Sequence, residues 1–174
     1  MRNNNTKIVS FCGIISALSI FLIFLGTLID ILDLTSVAAS SFLAYIVINT
    51  YGYKWGFALF STVSLVTLCF FPGKFAPLIY ILFGFYPFIK KLIEKLFKSE
   101  AIRWIIKLIL FNLIFSVFLF FAKELLFTAE ILENSAFVWY LLAFAFINLY
   151  VVLFDIVCSR LIIKYKYLFL RFFD

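Results

Sequence analysis

Apolar runs of about twenty residues recur along this chain from Ile8 almost to its end, separated by short polar breaks. Wound as a helix, a run of that length matches the hydrocarbon core of a bilayer. The repetition therefore points to an integral membrane protein before any motif is considered. Composition agrees: 66% of the 174 residues are hydrophobic and 14% charged, where soluble domains carry roughly half and a quarter. A secreted chain with a cleaved leader would show an A-x-A-like site closing the first run, and none is seen, so that run is expected to stay as an uncleaved span.

Six spans are expected, at about 8–29, 35–50, 55–71, 75–97, 102–123 and 136–160, giving an all-α bundle in one transmembrane domain, residues 1–174. The second is the least hydrophobic, with Ser36, Ala38, Ala39, Ser40, Ser41 and Ala44. The stretch NTYGYKWG, 49–56, reads as a turn, and Pro72-Gly73-Lys74 as a stop. Pro77 is tolerated in the first turn of the fourth span, and Pro87 is expected to bend it. Beyond Pro87, Phe88, Ile89, Leu92, Ile93, Leu96 and Phe97 share one helical face, and Lys90, Lys91, Glu94, Lys95 and Lys98 the other. That pattern reads as an amphipathic end lying on the membrane surface. Ser99 before Glu100 is a candidate cap for the fifth helix, and the tail from Arg160 to Asp174 is basic and aromatic.

Charge sets the orientation. Lys90, Lys91, Lys95, Lys98, Arg103 and Lys107 cluster between the fourth and fifth spans, and such clusters are held on the cytoplasmic side. With both termini inside, Arg2, Lys7, Lys54, Arg160, Lys164, Lys166 and Arg171 join them, leaving only Lys74 and Lys123 outside. Asp30, Asp33, Glu124, Glu130 and Glu133 all fall on the outer side. An even number of spans best produces this split.

Several function classes lose support. Cys12, Cys69 and Cys158 lie in separate apolar runs without CxxC spacing, and the chain has no histidine. They read as buried, inert thiols, with neither a disulfide framework nor a metal site. The net charge of +6 belongs to membrane flanks, so no nucleic-acid partner is indicated. The 26 phenylalanines read as lipid-facing filler. No nucleophile elbow, phosphate loop or intramembrane carboxylate pair is present, which argues against an enzyme and against a bound cofactor.

Three features could carry function. Gly13 and Ala17 in the first span, and Ser36, Ser40 and Ala44 in the second, form small-residue strips at four-residue spacing. Such strips let helices approach closely in lipid; either these helices pack together or on the third, or one strip meets a partner. Asp155 is the one acid well inside an apolar run; it needs protein, water or a counter-charge, with Lys107 or Arg160 as candidate partners and a proton or ion relay as the other reading. Finally, Tyr80, Lys123, Glu124, Trp139, Tyr140, Asn112 and Asn148 group toward the outer halves of the last three spans. Aromatic faces with a few fixed polar groups suit a small-molecule pocket, although the same aromatics could be interfacial belt residues and the asparagines could bond between helices.

In size and topology the chain resembles the substrate-binding S component of an energy-coupling factor (ECF) vitamin transporter. Members of that family often carry an alanine-x-x-x-alanine strip in helix 1; the corresponding stretch here is Gly13-Ile14-Ile15-Ser16-Ala17. The resemblance implies six helices with both termini cytoplasmic, in the bacterial plasma membrane. It implies one vitamin or related nutrient held near the outer face, with Tyr80, Glu124, Trp139, Tyr140 and Asn148 as contacts. It further implies delivery by toppling once Gly13 and Ala17 meet a coupling membrane protein that is joined to two ATPases. The alternative is a non-enzymatic scaffold of the cell-envelope machinery, similar to the small rod-shape protein of the MreD type. A self-contained secondary carrier is the weaker reading, because no inverted repeat is visible.

Overall fold

The computed structural model describes residues 2–29, 32–126 and 136–173, with side chains over 6–29, 32–120, 138, 141–142 and 144–162. Among the described residues six helices follow one another: α1 Arg2–Leu28, α2 Asp33–Tyr51, α3 Tyr53–Phe70, α4 Phe75–Leu96, α5 Glu100–Leu126 and α6 Ala136–Phe173. No strand occurs among the described residues. Each helix contains a stretch long and apolar enough to cross a membrane, so the chain is an all-helical, multi-pass membrane protein. The chain divides into two compact units, Met1–Phe118 and Leu119–Asp174, the division falling within α5.

In the first unit α2 is central, packing against α1, α3 and α4. A helix this low in hydropathy can take that place because lipid is the solvent: its serines are better served by protein than by acyl chains. Half of α2's spanning window is buried, against 22% for α1. Ser36, Ser40 and Ala44 are all buried, and Ser40 Oγ donates to the Ser19 carbonyl across the α1–α2 contact at 3.1 Å. Gly26 marks the closest approach of the two helices, since a Cβ there would land on Ser36 Oγ and lie 2.9 Å from Ser36 Cβ. The strip on α2 is thus packed. The strip on α1 is not: Gly13 and Ala17 are exposed, and Gly13 has no atom within 4 Å of where a side chain would begin.

Helix ends correct the sequence reading in two places, while α4 keeps its expected limits. The expected turn at 49–56 shrinks to Gly52 alone, whose φ of 95° is a left-handed value that costs glycine nothing; helix resumes at Tyr53, and Gly56 N–H already donates to the Gly52 carbonyl at 3.2 Å. Helix α4 runs on through Pro87 to Leu96. The basic aromatic tail continues as α6, whose 38 residues extend to roughly 57 Å at 1.5 Å per residue, well beyond a hydrocarbon core of about 30 Å. Elsewhere the signals hold. Phe71 leaves the helix before Pro72, and Lys74 Nζ caps α3 by donating to the carbonyls of Leu68 at 2.6 Å and Phe71 at 2.7 Å. Ser99 opens α5 through its carbonyl, which accepts from Arg103 N–H at 3.1 Å.

The amphipathic end of α4 keeps part of the expected division, with Ile89 and Ile93 buried and Lys95 and Lys98 exposed, but two features depart from it. Leu92 and Leu96 are 51% and 64% exposed, whereas Lys90 is 1% exposed. A surface-lying helix would put its lysines in water. In a bundle surrounded by lipid, leucines can face acyl chains while a lysine turns inward to find partners. The thiols also divide, with Cys12 and Cys158 buried and Cys69 exposed. Phenylalanine serves both environments: Phe57, Phe60, Phe85 and Phe88 stack between α3 and α4 at centroid distances of 5.9–6.4 Å, while Phe70 lies open.

Candidate functional site

Two polar features are built into the first unit. One is ionic and lies where α4 meets α5. Glu94 Oε1 stands 3.5 Å from Lys90 Nζ, one turn away on the same helix, and 3.2 Å from Lys107 Nζ on α5. Both lysines are buried. Each ammonium also lies over an aromatic face, Lys90 at 5.4 Å from the Tyr45 centroid and Lys107 at 5.6 Å from that of Trp104. A buried ammonium is costly without such company. Lys91 completes the inner set, donating from Nζ to the Ile48 carbonyl at 2.5 Å and lying 5.3 Å from the Tyr53 ring centroid. These contacts hold α5 and the end of α2 to α4.

The second feature is uncharged. Ser19, Ser41, Ser64 and Tyr80 carry buried hydroxyls with no hydrogen-bond partner among the described residues. Other hydroxyls of the same helices are satisfied by their own backbone: Ser16 donates to Cys12, Ser36 to Asp33 and Thr67 to Val63. Tyr80 is fully buried, with its ring 5.9 Å from that of Phe60. An unmet buried hydroxyl costs about 1–3 kcal/mol, so each of these groups is a place where a polar partner would be gained at no loss of an existing bond.

The predicted ligand residues are only partly placed. Tyr80 lies in the core of the first unit. Asn148 is half-buried on α6 in the second unit, where Nδ2 donates to the Phe144 carbonyl at 2.7 Å. Asn112 does the same on α5, donating to Leu108 at 2.8 Å; both asparagines thus bond within their own helix, a contact the expectation of purely interhelical bonding leaves out. The side chains of Lys123, Glu124, Trp139 and Tyr140 lie outside the described residues, as do Asp30, Glu130 and Glu133. Asp155 is 3% exposed, as an acid deep in an apolar run should be. Its carbonyl accepts from Ser159 Oγ at 2.8 Å. No group of three potential metal ligands occurs among the described residues.

The ion triad is what sequence reasoning missed. Lys90 and Glu94 stand at i and i+4, a spacing that pairs opposite charges on a helix, and that signal was available. Only the fold could add Lys107, thirteen positions further on. Comparison with protein families, with curated proteins and with solved structures finds no match to this chain.

Proposed function

We propose that this chain is the substrate-binding membrane subunit of an ECF-type importer, sitting in a bacterial plasma membrane with both termini cytoplasmic. It captures a vitamin or related small nutrient and passes it inward with a coupling protein and ATPases. The observation that carries this reading is the inequality of the two faces of α1. Ser16, Ser19 and Ile23 are buried, and Gly26 makes the close contact with α2, whereas Gly13 and Ala17 stand open. Small residues at four-residue spacing permit close helix approach. Left open by the described residues, the strip suits a second membrane protein. Tyr80 is the best placed of the ligand candidates, since its buried hydroxyl is still unmet. Glu124, Trp139, Tyr140 and Asn148 remain the proposed contacts on the last two helices.

The test is capture from native membranes with a tagged chain. Coupling protein and ATPases should co-purify with the wild type and be lost with Gly13→Leu or Ala17→Leu, while native mass spectrometry of the wild type should find a retained nutrient. Recovery of cell-wall elongation proteins instead, with no small molecule bound, would transfer the chain to the scaffold class.

A further inference from the structure

The six cations between the fourth and fifth spans do not act together. Lys90 and Lys107 are buried against Glu94, and Lys91 is engaged by the Ile48 carbonyl and Tyr53. Lys95 and Lys98 are exposed at the α4–α5 connection, and Arg103 is half-buried beside them. The ammoniums of Lys95 and Lys98 make no hydrogen bond or ion pair among the described residues. Arg103 is under-used: one terminal nitrogen reaches the Lys98 carbonyl at 3.4 Å and Glu100 Oε1 only at 3.9 Å, and its Nε has no partner. Glu100 is 89% exposed, so its hold on Arg103 is weak.

What borders these cations decides which anion they suit. Leu92 and Leu96 on α4, and Ile102 and Ile105 on α5, are all exposed. Exposed aliphatic side chains thus flank the weakly held cations along the α4–α5 connection. A soluble anion would use only the second, and a phospholipid uses both. We infer that the α4–α5 connection is a binding site for an anionic phospholipid, with Lys98 and Arg103 on the headgroup phosphate, Lys95 beside it, and the acyl chains along Leu92, Leu96, Ile102 and Ile105. Guanidinium suits the phosphate because its planar fork can donate twice, and juxtamembrane cations draw anionic lipid at short range. The site is independent of the nutrient reading and would serve a transporter or a scaffold alike.

The experiment is native mass spectrometry of the full chain after exchange into detergent with equal phosphatidylglycerol and phosphatidylcholine. The wild type should keep phosphatidylglycerol in clear preference, and a Lys98→Gln/Arg103→Gln double variant should lose roughly fivefold of that preference for each cation removed. Lys54→Gln, which removes an exposed cation elsewhere, should change nothing. Equal retention of the two lipids by the wild type, a preference that survives in a helical double variant, or an equal loss in Lys54→Gln each overturns the site. Should the double variant fail to fold, Glu100→Lys supplies the reverse test: it adds a cation and should raise retention, and unchanged retention counts against the proposal. Displacement of the lipid by millimolar inorganic phosphate would identify a soluble-anion site, and loss of a captured protein with lipid preference intact would identify a protein interface; either result replaces the lipid assignment.

Discussion

The two small-residue strips have the same spacing and opposite fates. Ser36, Ser40 and Ala44 are enclosed, and Gly13 and Ala17 face out. What separates them is the neighbouring chemistry rather than size. The α2 strip carries hydroxyls that would be poorly served by acyl chains, and it finds the Ser19 carbonyl and the notch at Gly26. The α1 strip has no polar atom to hide, so lipid or a foreign helix suits it equally. The same division runs through the lysines, where Lys90 is buried and Lys95 is exposed five residues on. In this bundle, the need for partners decides which residues turn inward.

The largest test of that contrast is Gly26→Leu, whose side chain must displace Ser36 and approach the α2 backbone at Asp33. It should cost about 3 kcal/mol or more, at the upper end of overpacking, read as a lowered unfolding midpoint in detergent. Gly13→Leu should cost under about 0.5 kcal/mol, and comparable losses in the two would erase the distinction between the faces. Next comes Glu94→Gln, expected to cost about 2 kcal/mol. That is below the roughly 3–5 kcal/mol of a fully buried pair, because Glu94 is 31% exposed; Lys95→Gln in the same assay should be silent. Ser40→Ala, which removes the bond to Ser19, should cost about 0.6 kcal/mol. The smallest effect belongs to Tyr80→Phe. With its hydroxyl unmet the change should be neutral or slightly stabilising in the ligand-free protein, yet it should weaken retention of any ligand that the hydroxyl serves.

The number of spans and most of their limits were legible in the sequence because bilayer thickness sets a fixed ruler. Pro72-Gly73 was legible as well, since the two residues side by side are a strong stop, whereas Pro87 alone leaves α4 unbroken. Facing was not. Reading Lys90 and Leu92 by the rule for soluble helices puts the lysine outside, and lipid reverses the preference whenever protein partners are available. The fate of the Gly13 and Ala17 strip was likewise hidden, because a four-residue spacing states that contact is possible without saying with what. Gly52 was partly legible: glycine announced a break, but the surrounding aromatics, which suggested a longer turn, continue as helix on either side.

The bond from Lys91 to the last turn of α2 has a mechanical consequence. It fastens α4 to the end of the α2–α3 hairpin beside the single-residue break at Gly52. With that bond and the packing of α2 on α4, the charged tip of α4 and the end of the hairpin form one braced corner. Lys90 over the Tyr45 ring adds a second tie between the same two helices, so Lys91→Met should loosen the tip of α4 without freeing it.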